Sequence, residues 1–416
     1  FDRKISTQSD VQPISIPEVQ RKLSAHQLVL HITELKDQYY IAKITRSEVN
    51  IDVIPLDEKK RKLFESSVEQ LANNSTNLDS LYAVSQLLNI DELPSRIEEI
   101  TIIPDSYLYQ LPVDVLPIEK PAHKFSYGES RYAIERFDIH YLTSLNDFKT
   151  ETQSNTGSTH EWNYIGYGVS NFDGFPDKSL VPLPFAETEV NTIKDRLTHL
   201  NNLKTYTNNA SQKETFTQSA QNGKILHLAT HSEVSERDPL FSTIYMANNS
   251  TETDSSFSNQ LFAYELFELN LNNELIMLNS CKSGSGPYIR GSGIMGFSRA
   301  LQYAGAQSLV LNIWSVNDML ASDFAIHFYD QLNKGKSKSE ALQATKRYFL
   351  ETKNASPHLW GPYMLIGDTE PIVHPNRRKN LAVAGIFLLY FLIIIILTLF
   401  KEKGILFQSS SGSASV

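Results

Sequence analysis

Residues 274–286 read ELIMLNSCKSGSG, an apolar run that ends at the only cysteine of the chain and opens into lysine, serine and glycine. A continuous run such as Leu275–Leu278 is the pattern of a short strand buried on both faces, as in the interior of a parallel sheet. KILHLATH (224–231) and SLVLNIWS (308–315) repeat it. An amphipathic helix is expected at AETEVNTIKDRL (186–197), and further helices at IMGFSRALQYAGA (294–306), MLASDFAIHFYDQL (319–332) and KSEALQATKRYFLE (338–351). Further strands are expected at EEITIIP (98–104), YAIERFDIHYL (132–142), WNYIGYGV (162–169) and GPYMLIGD (361–368). Strand and helix in alternation predict an α/β domain with a mostly parallel sheet flanked by helices.

Upstream the pattern changes. Residues 27–55 alternate apolar and polar side chains, as two or three antiparallel strands do. From 58 to 90 the apolar spacing becomes three and four, in LFESSVEQLA and LDSLYAVSQLL, and a boundary is expected near Asp91–Pro94. The expected organisation is a β-rich and helical lead-in over 1–94, the α/β domain over 95–370, a basic linker over 371–380, a transmembrane helix over 381–400 and a low-complexity tail over 401–416.

The membrane expectation rests on Leu381–Phe400, LAVAGIFLLYFLIIIILTLF, twenty residues without a charge. That length crosses a hydrocarbon core of about 30 Å. Arg377, Arg378 and Lys379 precede it, whereas Lys401, Glu402 and Lys403 after it net one positive charge. The positive-inside rule therefore puts the N-terminal bulk on the cytoplasmic side of a single-pass protein. The chain starts at Phe1 rather than Met, so a longer parent protein is expected.

Composition narrows the chemistry. One cysteine excludes an intramolecular disulfide framework and a cysteine-rich metal cluster, so no metal and no cofactor is expected. A net charge of −9 without a Lys/Arg stripe argues against a nucleic-acid partner. In open α/β sheets, sites lie beyond the carboxyl ends of the strands. His231 closes one buried run and Cys281 another, fifty residues on. An imidazole beside a thiol raises its thiolate fraction or protonates a leaving amine. Backbone N–H groups of Ser232 and Cys281 would hold the oxyanion of an attacked carbonyl. The competing reading makes Cys281 a small buried hydrophobe, as free cysteines often are, and His227, on the same strand as His231, is read as a core histidine. GSGIMG (291–296) fits G-x-G-x-x-G with Asp318 beyond it, a dinucleotide fingerprint, but KSGSGPYIR separates it from its strand.

The blocks ITIIPDSYLYQLPVDVL, LPFAETEV, ILHLATHS, RDPLFSTIYMA, LNSCKSGSG through GSGIMGFSRALQYAGAQSLVLNIWSVND, and HLWGPYMLIGD occur in order over about 275 residues. Together they resemble the CHAT family, caspase-like proteins related to separases and often attached to tetratricopeptide repeats. The His-before-Cys spacing of about 50 is also a caspase signature. The resemblance implies a caspase/separase-type fold and a cysteine endopeptidase with His231 and Cys281 as its dyad. Relatives commonly carry Gly after the histidine, where this chain has Ser232. In separases an acidic residue after the Leu-Trp strand lines a pocket for arginine. Asp318 and, second, Asp323 occupy that region, though Asp318 fits a helix N-cap equally well.

The resulting expectation is a membrane-anchored cytoplasmic endopeptidase acting on specific proteins and controlled by an upstream sensor such as tetratricopeptide repeats. In bacterial relatives with defence roles, the resemblance extends to gasdermin-like substrates. The alternative is a caspase-like scaffold that binds partners at the membrane without turnover.

Overall fold

The computed structural model describes residues 13–150, 160–173, 175, 180–247, 259–280, 283–286, 288–289, 293–294, 296–353, 355–374, 390 and 394–395. One compact unit extends to Val373, and a second unit begins at His374.

An eleven-stranded sheet organises the first unit. Three antiparallel strands start it: β1 (Gln27–Leu35), β2 (Gln38–Ile44) and β3 (Val49–Pro55). Helices α1 (Glu58–Ala72) and α2 (Leu78–Leu87) follow, each N-capped by a side chain, Asp57 and Asn77. The chain then re-enters the same sheet. Strand β4 (Glu99–Ile103) pairs in parallel with β1, matching Leu28 with Ile100 and Leu30 with Ile102. Hydrogen bonding thus runs unbroken across the boundary expected near Asp91–Pro94.

The remaining strands of this sheet are β5 (Asp138–Tyr141), β6 (Trp162–Gly168), β7 (Leu203–Thr207), β8 (Gly223–Ala229), β12 (Leu275–Asn279), β15 (Ser308–Asn312) and β16 (Tyr363–Gly367). A small sheet is built from β9 (Ser232–Glu233), β10 (Thr243–Tyr245) and β11 (Gln260–Phe262). A two-stranded hairpin pairs β13 (Tyr288–Ile289) with β14 (Gly293–Ile294). The order of the large sheet is β3-β2-β1-β4-β5-β16-β15-β12-β8-β6-β7. From the β1–β4 pair onward its pairs are parallel except β15 with β16.

Helices α3 (Ala186–Arg196), α4 (Phe297–Tyr303), α5 (Asp318–Asn333) and α6 (Lys338–Thr352) belong to this half. The apolar runs behave as expected of central strands. Alternate residues of β12 enter two different cores, Leu275 and Met277 one, Ile276 and Leu278 the other. The first core also takes Phe324, Phe328 and Tyr329 of α5, and the second takes Phe297 and Leu301 of α4.

Two expectations need correction. The strand expected over 132–142 begins as a helical turn, Ala133–Arg136, because Glu135 accepts the Tyr132 N–H and caps it. Only Asp138–Tyr141 is strand. The helix expected over 294–306 is shortened to α4, its start being used by β14. Among the described residues no helix is long and apolar enough to cross a membrane. The expected span 381–400 lies outside the described residues except Tyr390, Ile394 and Ile395, which are helical with exposed side chains.

At the amino ends of β4 and β5, parallel pairing sets Glu99 opposite Asp138. Burial, then the Glu99 carboxylate, push Asp138 from 3.8 up to about 7. A folded-state value above the unfolded one means stability is full below the unfolded value and is lost as pH rises through about 7. Wild type should lose about 1 kcal/mol more than Asp138→Asn between about pH 6 and pH 8. Urea unfolding at both pH values measures it, and parallel pH dependence of the two proteins would refute it.

Candidate functional site

The carboxyl ends of β8 and β12 lie side by side, with Ala229 in register with Asn279. An open cleft lies there, lined among others by His231, Ser280, Glu189 and Asp318. His231 follows two residues after the end of β8. Its Nε2 lies 2.7 Å from the Val181 carbonyl oxygen. A carbonyl only accepts, so Nε2 carries the proton and, in the neutral ring, Nδ1 keeps a lone pair. The Phe172 ring, 4.6 Å away centroid to centroid, packs against the imidazole. The ring is thus held by a hydrogen bond on one atom and by an apolar wall.

Cys281 lies outside the described residues; Ser280, its neighbour in the chain, lines the cleft. Ser280 Oγ is 2.8 Å from Ser232 Oγ, which couples the segment after His231 to the segment before Cys281. Ser232 opens β9 and faces Ile244 of β10. The Tyr245 N–H donates to the His231 carbonyl, so the next pair, Ser232 with Ile244, is a non-bonded one. The Ser232 backbone N–H therefore points away from β10.

Beneath the cleft is a polar network in otherwise apolar surroundings. Glu189 of α3 and His227 of β8 are both fully buried, with Glu189 Oε1 2.6 Å from His227 Nε2. The same Oε1 accepts from Asn279 Nδ2 at 2.8 Å. Asn312 Nδ2 donates to Asn279 Oδ1 at 3.3 Å, and the Asn312 N–H donates to Ser283 Oγ. Ser283 Oγ in turn donates to the Leu278 carbonyl. Residues 278 and 283, on either side of Cys281, are thereby tied to one another and to β15. Helix α3 reaches this position because Gly168 leaves room: a Cβ there would meet the Ala186 carbonyl oxygen at 2.8 Å. His227 is the core histidine expected, bonded on Nε2, though Nδ1 lacks a hydrogen-bond partner among the described residues.

The two acidic candidates separate. Asp318 lines the cleft and accepts the Phe185 N–H at 3.1 Å. Burial raises its pKa above the ordinary carboxylate value, and the Phe185 N–H and His231 pull it back. The helix N-cap is Asn317, which accepts from the Met319 N–H, leaving the Asp318 carboxylate for the cleft. Asp323 instead pairs with Lys353 at 3.1 Å. The G-x-G-x-x-G stretch does not come directly off β12, since the β13–β14 hairpin intervenes before α4.

Sequence reasoning missed Val181, Ser280, Asn279 and Asn312. A signal existed for the asparagines: each directly follows at least three apolar residues at the end of a buried strand.

A family model described as CHAT domain matches residues 70–368. Human tetratricopeptide repeat protein 28 is 30% identical over 137 residues, which are 29% of this chain and 5% of that protein. The Saccharomyces cerevisiae separase in its securin complex superposes on 84% of this chain and 31% of its own, with a TM-score of 0.53 and 11% identity. Arg-specific gingipain R matches with a TM-score of 0.46 at 10% identity, covering 76% of this chain and 75% of its own. This chain thus spans a small part of the repeat protein and about a third of the separase, and the separase likeness is one of fold.

Glu189→Ala would strand both His227 and Asn279. It should destabilise the protein by about 3 kcal/mol in urea unfolding. A change within about 0.5 kcal/mol, the range of ordinary surface substitutions, would show the network to be dispensable.

Proposed function

Because this chain belongs to the CHAT family of caspase-like cysteine proteases, we propose that it is a cysteine endopeptidase with His231 and Cys281 as its dyad. One observation carries the reading: His231 and the residue before Cys281 line one cleft at the carboxyl ends of adjacent parallel strands. The Cys281 thiolate attacks the scissile carbonyl, forming a C–S bond and a tetrahedral oxyanion held by the backbone N–H groups of Ser232 and Cys281. The imidazolium of His231 protonates the departing amine as the C–N bond breaks. The same ring then takes a proton from water, whose oxygen attacks the thioester, and hydrolysis returns the thiol. The Val181 carbonyl orients the ring through both steps.

The residue before the cut is basic in this reading. Asp318 gives the cleft a carboxylate whose charge is not consumed as a helix cap. A guanidinium entering beside Asp318 would form charge-assisted hydrogen bonds in a partly desolvated site. The substrate is a protein, and the gasdermin-like substrates of related proteins are the class to test first. The repeat-protein relatives support a sensor module of tetratricopeptide repeats upstream. Residues 381–400 supply the membrane tether, with the protease on the cytoplasmic side; retention in the membrane pellet at alkaline pH tests it, and release into the supernatant would remove the tether.

A peptide electrophile ending in arginine should add its mass to Cys281 in the wild-type chain and not in Cys281→Ala. His231→Ala should slow labelling at least about a hundredfold. A wild-type chain that never labels or cleaves, with its activating partner present, would leave the non-catalytic scaffold as the function. Asp318→Asn should lower kcat/KM for arginine peptides at least about tenfold and leave neutral peptides little changed; equal losses on both would remove the acidic pocket from the reading.

A further inference from the structure

Among the described residues the large sheet ends at β3 on one side and β7 on the other. The two edges are built differently. Strand β7 is guarded by Lys204, whose ammonium lies over the Trp162 and Tyr206 rings, and an edge lysine discourages strand pairing. Strand β3 reads VNIDVIP and has no lysine. Val49, Ile51 and Val53 are 41%, 62% and 49% exposed, on one face of the strand.

The backbone of β3 adds direction. The Thr45 N–H donates to the Glu48 carbonyl, and the Leu56 N–H to the Asp37 carbonyl. With Val49 opposite Ile44 and Ile51 opposite Ala42, the antiparallel alternation directs Asn50, Asp52 and Ile54 inward to β2. The N–H and C=O groups of Val49, Ile51 and Val53 therefore face the open edge.

From this geometry we infer that β3 is a self-association edge, pairing antiparallel with β3 of a second copy about a two-fold axis at Ile51. The register is self-complementary. Ile51 faces its own counterpart, and Val49 faces Val53 of the second copy, twice over. All three are hydrogen-bonded pairs, and their side chains share one apolar face. On the other face Asn50 meets Asp52 of the second copy in the closer, non-bonded pair, where the amide can donate to the carboxylate. Asp52 brings little repulsion to the axis, because Lys43 holds it at 2.7 Å. Pro55, which could not donate, falls outside these pairs. A second copy is favoured by the side-chain match: apolar residues meet apolar ones at 49, 51 and 53, and the Asn50 amide meets the Asp52 carboxylate.

Sedimentation equilibrium of the full 416-residue chain in detergent micelles, from about 1 to 100 μM, should show a monomer–dimer equilibrium. Ile51→Pro removes an outward N–H that β2 does not use, and Ile51→Lys sets two ammonium groups across the axis. Both should raise the dissociation constant at least about tenfold while keeping the wild-type unfolding midpoint. Ile51→Cys in a Cys281→Ser background should form an intermolecular disulfide under copper–phenanthroline oxidation, whereas the equally surface-placed Glu58→Cys should not. A monomer at every concentration overturns the inference. So does a dimer indifferent to both Ile51 substitutions, or a different protein found bound at β3 in place of a second copy.

Discussion

One buried carboxylate holds the centre of this molecule together. Glu189 projects from α3 into a layer of apolar side chains and accepts from His227 on β8 and Asn279 on β12. Burying such a group is costly unless its partners are in place. The arrangement therefore admits few alternatives: α3 must lie over the two strands, and the strands must keep their register. Well-packed apolar side chains in place of the whole network would avoid that cost, but they would not fix which helix turn meets which strand residue. Both strands lead directly into the segments that carry His231 and Cys281, so the constraint that fixes the core also fixes the approach to the site.

The network extends that control around the cysteine loop. Asn279, Asn312 and Ser283 link the end of β12, the end of β15 and the far side of the loop, with the Gly284 N–H bonded to the Asn312 carbonyl. In the proposed mechanism this bracing supports Cys281 from both sides, since segments beyond strand ends are less constrained than the strands that bear them. On the histidine side, the Val181 carbonyl and the Phe172 ring perform the same service with different chemistry. The Ser232–Ser280 contact then joins the two sides. Ser232 contributes its side chain to that join, and its backbone N–H turns away from β10.

The central strands were legible because they are buried on both faces, where a continuous apolar run has few other uses. β8, β12 and β15 follow the expected runs closely, and the ends of the first two led to His231 and Cys281. Legibility fell where local and tertiary demands differ. YAIERFDIHYL has strand-like composition, yet Glu135 captures the Tyr132 N–H and makes its first half helical. β7, LKTYT, is short and half-buried along its length, without the apolar signature of its neighbours. The union of β1 with β4 joins residues some 70 positions apart and leaves no mark in either segment. Val181 is an exposed loop residue acting through its carbonyl, which no side-chain pattern could disclose.

The cleft and the core share their helices, and this links recognition to architecture. Helix α5 presents Asp318 to the cleft at its first turn and buries Tyr329 against His227 further along, with ring centroids 5.4 Å apart. Helix α3 offers the Phe185 N–H to Asp318 just before its own start and sends Glu189 to His227 one turn later. The acidic wall is thus braced by the two helices that brace the floor. Asn317 completes the arrangement by capping α5 itself, which leaves the neighbouring carboxylate to serve the cleft. A substitution that shifts α3 relative to α5 would therefore alter the charge a substrate meets and the support of both strand ends together, even if it touched neither His231 nor the cysteine loop.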